Sequence, residues 1–313
     1  MKIAAYTIGD INRASSRLRS YYLFSTAKKF NLEVLRPSRF RDAFDADVVH
    51  IQKRLNERII LAVIVYRILG IKVVFDIDDQ PGSLKSFLAY LLVLSLCNVV
   101  TVDTEARKQY WQRFIFFKNI VVVNDIADSN FSNLVILDRT TEKKYINYFW
   151  LGHSSNLSSI KNFIKFIKIS PQSKLIISIE KDAIEHWRVK YPFINFIPWF
   201  NDIAFDPSLN ARFMVLNHLH DKASILKSDN KMVLALLAGF IPIVSRTPAY
   251  EKLAKLLDAE FLIFDNVKDI PDIAKKTSNL DSQDFFTKAL NLINEHYSRD
   301  AVLSSFIKNV LST

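Results

Sequence analysis

Short runs of β-branched and aliphatic residues alternate along this chain with helix-length segments, a pattern that predicts parallel strands joined by helical crossovers. In the first part, strands are expected at 2–8, 33–35, 48–51, 72–76, 99–102 and 120–123, with helices over 16–30, 56–69, 84–96 and 105–114. After the polar stretch from Asp138 to Lys144, a second set follows: strands at 147–151, 174–178, 194–197, 211–216, 241–244 and 260–263, and helices over 158–168 and 231–238. Residues 290–311 read as an amphipathic terminal segment. There is no internal repeat, low-complexity tract or long linker. The fold class expected is α/β, with two Rossmann-like, doubly wound domains at 1–137 and 138–313.

Composition narrows the class. Half of the 313 residues are hydrophobic and about a quarter are charged, enough apolar surface for two cores. The single cysteine, Cys97, ends an apolar run, so it cannot form an intramolecular disulfide and reads as a buried thiol of a reducing compartment. Of six histidines only His218 and His220 lie close together, without a cysteine or paired acid at metal spacing, so no metal is expected. Residues 1–10 are too short an apolar run for a signal peptide and read as a buried strand, which points to the cytoplasm. The apolar runs at 59–69 and 87–102 fall short of the roughly 20 residues of a membrane-spanning helix. The net charge of +10 suits an anionic partner: a nucleotide diphosphate, a lipid phosphate or an anionic membrane surface. Nucleic acid is not expected, because the basic residues are scattered and are not interleaved with aromatics in any recognised pattern.

The most informative segment runs from Lys227 to Ser245. Lys227, Ser228, Asp229, Asn230 and Lys231 lead into an apolar helix that Gly239 stops, and Pro242 follows in a buried strand. Ser, Asp and Asn are capping residues, and a helix N-terminus with two lysines beside it suits a diphosphate. An ordinary capped helix with solvated lysines is the alternative.

This segment, through Ala249 and Tyr250, resembles the nucleotide-sugar end of GT-B glycosyltransferases, particularly the bacterial group 1, family 4-like enzymes of surface-polysaccharide synthesis. Residues 14–19, Ala-Ser-Ser-Arg-Leu-Arg, resemble the loop after the first strand of those proteins, and 121–131 resemble the segment that closes their N-terminal domain. The resemblance implies two domains facing across a cleft, an acceptor-side domain first and a donor domain second. The last helix is expected to pack back toward the first domain. It also implies a nucleotide diphosphate sugar as substrate, with no cofactor, and an acceptor of O-antigen, lipopolysaccharide, capsule or related glycan, lipid-linked. The cytoplasmic enzyme would then lie peripherally on the inner face of the membrane.

Several positions carry candidate chemistry. Gly9 follows the first strand, and Ser16 and Arg17 follow it into the expected cleft; Arg17 is preferred over Arg19 because it directly follows the serine pair. His50 ends a strand, with a structural histidine as the alternative. In Asp76, Asp78 and Asp79, a carboxylate, here Asp79, could serve as general base on an acceptor hydroxyl, or the cluster could bind acceptor hydroxyls or cap a turn. Asp76 and Asp78 also have the spacing of a metal-binding Asp-x-Asp, which the resemblance disfavours because GT-B enzymes usually neutralise the leaving diphosphate with cationic side chains and helix dipoles. Gly152 and Ser154 resemble the donor loop, whose backbone N–H groups could reach a phosphate. Donor binding is thus assigned to Gly152, Ser154, Lys227, Ser228, Asn230 and Lys231, and catalysis to Asp79, His50 and Lys227. The chain departs from the family at Lys227 and Ala235, where many group 1 enzymes carry glutamates, and at His153 and Ser158, where they carry an arginine and a lysine. The missing glutamates suggest one alternative, a non-catalytic GT-B homologue binding nucleotide or glycan within a transferase complex; a sugar-nucleotide epimerase or another doubly wound enzyme is a second.

Overall fold

Successive side chains of a strand point to opposite faces, and here both faces are apolar, as a parallel sheet covered by helices on both sides requires. The computed structural model describes residues 1–128, 145–200, 202–218, 224–277, 280 and 282–312. The chain forms two compact units. One takes Met1–Asp128, Leu226–Ser228 and the described part of Asn294–Thr313; the other takes the described parts of Ser129–Ile225 and Asp229–Ile293. The expected 137/138 boundary, residues 129–131 of the resemblance and His220 lie outside the described residues.

The first unit holds strands β1 (Lys2–Tyr6), β2 (Glu33–Leu35), β3 (Val48–Gln52), β4 (Lys72–Ile77), β5 (Val99–Val102) and β6 (Asn119–Val122), all parallel in the order β2-β1-β3-β4-β5-β6. The expected helix over 16–30 is broken. A short α1 (Ala14–Ser16) winds on as a π turn over Arg17–Tyr21, and a 3-10 turn follows at Ala27–Phe30. Serines, aromatics and Thr26 are poor helix formers, and the Ser25 hydroxyl donates to the Tyr22 carbonyl, competing with a helical ladder. Helices α2 (Glu57–Ile68), α3 (Leu84–Leu96) and α4 (Glu105–Gln112) start where Asn56, Ser83 and Thr104 accept the N–H three residues on. Their inward residues, among them Ile59, Val63, Tyr66, Val93, Leu94 and Trp111, pack on Val49, Ile51, Val73, Phe75 and Val100 of the sheet.

The second unit holds β7 (Ile146–Leu151), β8 (Ser173–Ile179), β9 (Asn195–Pro198), β10 (Phe213–Leu216), β11 (Ile241–Ser245) and β12 (Ile263–Phe264), parallel in the order β12-β11-β10-β7-β8-β9. Residues 260–262, expected as strand, form a 3-10 turn, so only two residues of that segment reach the sheet. Its helices are α5 (Lys161–Ile169), entered through a 3-10 run at Ser154–Ile160, α6 (Ile184–Lys190), α7 (Asn230–Leu237), α8 (Pro248–Leu256), α9 (Ile270–Lys276) and α10 (Ser282–Tyr297), whose residues from Asn294 on belong to the first unit. Gly239 ends α7 as expected: at φ 74 its N–H reaches the Leu236 carbonyl and the Phe240 N–H reaches Ala235. This paired closure needs a residue tolerant of the left-handed region.

The terminal segment is divided between two helices. Ser298 leaves the helical region after α10 and its side chain accepts from the Ala301 N–H to start α11 (Arg299–Phe306). Val302, Leu303 and Phe306 of α11 cover the other face of the first sheet, packing with Ile3, Ala5, Val48, Val74 and Val99.

Candidate functional site

In open parallel sheets ligands bind beyond the carboxyl ends of the strands, where the strand order reverses. That point lies between β1 and β3 in the first unit and between β7 and β10 in the second.

In the first unit, Gly9, Ser16 and Gln52 meet at this edge: the Gly9 N–H donates to Ser16 Oγ at 3.1 Å, and the Ser16 hydroxyl donates to Gln52 Oε1 at 3.1 Å. Next along the edge, Lys53 sits at φ 33, a region that L-residues seldom adopt and that clusters at functional sites. Its buried ammonium lies 2.6 Å from Asp79 and 3.0 Å from Asp78. Burial alone would lower the Lys53 ammonium, but Asp78 and Asp79 outweigh it and raise it. Burial raises the Asp78 carboxyl against the pull of Lys53. Asp79 is the accessible member, 62 % exposed at its side chain.

Beneath this edge lies a buried ionic network. Arg19, 4 % exposed, donates twice to Asp76 (2.8 and 2.5 Å), once to Asp125 (2.7 Å) and once to the Val123 carbonyl (3.0 Å). Thr101 adds a bond to Asp76 at 2.7 Å. Burial pushes the Asp76 carboxyl up, but Arg19 prevails and holds it below its ordinary value. The network continues into Leu226–Ser228: the Ser228 hydroxyl donates to Asp125 at 2.6 Å, and Arg107 and Thr104 donate to the Leu226 carbonyl at 3.0 and 3.2 Å. Asp103, paired with Arg107, is pushed up to about 7 by burial. Lys227, between two pinned neighbours, is exposed.

Three expectations change here. Ser228 does not cap the donor helix: its hydroxyl donates to Asp125, a charge-assisted bond stronger than a neutral cap, and α7 begins at Asn230 without a side-chain cap from Asp229. Arg17 is bound to Asp128 in a two-bond pair at 2.8 and 2.6 Å and to the Ile11 and Asn12 carbonyls, while Arg19, two residues on, turns into the core. His50 is 1 % exposed, its ring edge-on to Phe24 and Phe306 at 5.3 and 5.8 Å, and burial lowers it to about 4. In this structure it is a neutral imidazole packed in the core.

In the second unit, Gly152 follows β7 with no room for a side chain: a Cβ would lie 2.8 Å from the buried Trp150 indole and 3.3 Å from Lys231 Nζ. Lys231, on the first turn of α7, donates to the Leu151 carbonyl at 3.1 Å, 5.6 Å from the Trp150 ring centre. Asn230 shares that turn, partly buried. Ser154 gives both its N–H (2.9 Å) and its hydroxyl to the Glu180 carboxylate, so a phosphate would have to displace Glu180 to meet that N–H. Burial alone would raise the Glu180 carboxyl, but these bonds hold it below its ordinary range. His218, after β10, stacks on Tyr250 with ring centres 5.3 Å apart and lines a cavity of about 550 Å³ together with Ser158, Asn162, Lys165, Asn217 and Lys268.

Lys53, Glu180 and the Arg19–Asp76–Asp125 network were not singled out from the sequence. Lys53 and Glu180 each directly follow the carboxyl end of a strand, a positional signal that was available. The pairing of Arg19 with Asp76 and Asp125, 57 and 106 residues away, had none. Among the described residues, no three His, Cys, Asp or Glu side chains converge as a metal site would require.

The two Rossmann-like units give the chain the GT-B fold. Solved structures that share it include Anabaena HepE in complex with UDP and glucose (TM-score 0.69, 12 % identity, 100 % of each chain covered). A glycosyltransferase from Rickettsia africae matches at TM-score 0.64 and 9 % identity over 98 % of this chain and 97 % of that one. Trehalose 6-phosphate synthase from Burkholderia multivorans matches at 0.63 and 9 % over 99 % and 98 %. No protein-family model and no curated protein matches the sequence.

Proposed function

We propose that this chain is a glycosyltransferase that moves a sugar from a nucleotide diphosphate donor, metal-independently, to a lipid-linked acceptor of a bacterial surface glycan. It would work in the cytoplasm, peripherally at the membrane. The observation that carries this reading is the mouth of the second unit, where Lys231 is fixed by the Leu151 carbonyl on the first turn of α7, beside a glycine without room for a side chain. A cation at a helix start, at the switch point of a Rossmann-ordered sheet, suits a diphosphate. Lys231 would then meet the negative charge that develops on the leaving group, and the resemblance in sequence names Lys227 as a second cation to test. The second unit also holds a cavity of about 550 Å³, lined by Asn217, His218 and Lys268, within the range of small-ligand sites. The match to HepE, solved with UDP and with UDP and glucose, supports a uridine nucleotide as the first donor to test. On the acceptor side, Asp79 is the carboxylate open to solvent and would serve as general base, with Gly9 and Ser16 lining the approach.

Nucleotide sugars screened by thermal shift, followed by turnover with glycan acceptors, test this reading. A ligand at a hundred times its Kd stabilises by about 2.7 kcal/mol. Lys227→Ala is expected to weaken donor binding by about one to two decades with the fold intact, the loss of a charge-assisted contact of roughly 1.5–3 kcal/mol. EDTA is expected to leave turnover unchanged. No stabilisation by any nucleotide sugar would overturn the reading. Binding without turnover would favour the non-catalytic homologue suggested by Lys227 and Ala235.

A further inference from the structure

Helices α2 and α3 are apolar on the wrong side. Beyond the inward residues, α2 presents Leu61, Ile64, Val65 and Ile68 to solvent at helical spacing, with Ile68 79 % exposed. The neighbouring α3 presents Leu84, Leu88 and Leu92 in the same way, with Leu84 73 % exposed. Phe116 and Phe117, just past α4, extend the surface, Phe116 at 82 % exposure. A helix on the surface of a water-soluble unit ordinarily carries polar residues on that side, and contiguous exposed apolar residues mark an interaction surface.

The charges around this surface choose the occupant. Arg58, Arg67, Lys85, Arg113 and Lys118 lie on α2, α3 and residues 113–118, against one acid, Glu57. The Lys118 ammonium donates to the Cys97 carbonyl at 2.9 Å at the end of α3, and Arg67 is near enough to act on it. At the other end of α2 a cavity of about 610 Å³ opens, lined by Arg39, Arg41, Arg54 and Arg58 with Ser38 and Asn56. It lies at the carboxyl edge of the sheet, beside Tyr6 at the end of β1. A second copy of the chain is a poor partner. A two-fold contact sets a patch against itself, here five cations against five with one acid on each side.

We propose that this face of the first unit docks on an anionic lipid bilayer, with the apolar sides of α2 and α3 entering the interface and the arginine-lined cavity taking a lipid phosphate headgroup. Among the described residues no helix is long and apolar enough to cross a membrane, so the chain would lie on the surface. The inference rests on the peripheral placement proposed above, and it replaces attraction by net charge alone with a defined surface.

The test is co-sedimentation of the full chain with neutral and with anionic phospholipid vesicles, at physiological and at about 0.5 M salt, where exposed charges are screened. Wild type is expected to prefer anionic vesicles and to keep part of its binding at high salt. Arg41→Gln with Arg54→Gln should lower binding to anionic vesicles roughly thirtyfold, as expected for two basic residues at such a surface. Ile68→Ser, Leu84→Ser and Leu88→Ser together should abolish the salt-resistant part without altering the melting temperature, since all three side chains are exposed. Variants that bind as wild type does would overturn the proposal. So would stabilisation by glycerol phosphate without vesicle binding, which assigns the cavity to a free phosphate ester, or a dimer that the apolar variant converts to monomer. The thermal shift with UDP, measured on the same proteins, should be unchanged. Its absence from wild type would strike the proposed reaction and leave the docking surface standing.

Discussion

Replacing Arg19 by methionine tests the buried network directly. The guanidinium makes four hydrogen bonds, three of them to the carboxylates of Asp76 and Asp125, and is almost wholly inaccessible to water. Methionine fills similar volume but leaves Asp76 with Thr101 and Asp125 with Ser228 as their remaining partners. Removing one partner of a buried ion pair costs about 3–5 kcal/mol, because the other charge stays buried and uncompensated. The matching change at Arg17, whose pair with Asp128 is more open to water, should cost less than the change at Arg19. The deficit should also depend on pH. In the wild type Asp76 is held below its ordinary value, so its pairing stabilises the fold above the unfolded carboxyl value and is lost as pH falls through the folded one. Without Arg19, burial raises that carboxyl, and protonation relieves part of the cost as pH falls from 7.5 toward 5. Hydrogen exchange of the β4 and β5 amides in urea reads the first unit alone. A loss below about 1 kcal/mol, or one independent of pH, would refute the network as a stabilising element.

Two further outcomes follow from burial. His50 is neutral in the fold with a value of about 4, whereas the unfolded chain takes up a proton below about 6.5; its contribution is therefore complete above 6.5 and declines as pH falls toward 4, by roughly 3 kcal/mol in all. His50→Phe should flatten the stability profile over that window, and an unchanged slope in urea titrations would show the imidazole to be solvated. Gly152→Ala should cost about 1–3 kcal/mol by forcing the Trp150 indole aside, with a shift in tryptophan emission; a variant with wild-type stability and emission would mean the loop yields freely.

The order of elements was legible because it rests on local physics. The β-branched runs, the caps at Asn56, Ser83 and Thr104 and the glycine after α7 act within a few residues, and α3 was bounded to the residue. One segment misled for local reasons too: serines and aromatics broke the helix expected over 16–30. Gly9 and Asp79, which follow β1 and β4, are placed beyond strand ends by the sequence alone. The cation beside Asp79, Lys53, was passed over because its backbone conformation and its pairing with Asp78 and Asp79 depend on neighbouring strands.

Sequence by itself determined the α/β class, the two parallel sets of strands and the candidate donor helix, since strand periodicity, capping and helix termination are properties of contiguous residues. Tertiary structure decided which of those residues meet. Arg17 and Arg19 are two positions apart in the chain, yet one is tied to Asp128 and the other to Asp76 and Asp125 in the core. Ser228, a capping residue by type, serves Asp125. The outward apolar residues of α2 and α3, indistinguishable in sequence from core, show their exposure only once the sheet has taken the other side of each helix. Burial and long-range pairing depend on the whole packed arrangement, and a linear pattern carries no record of which face of an apolar helix the sheet will cover.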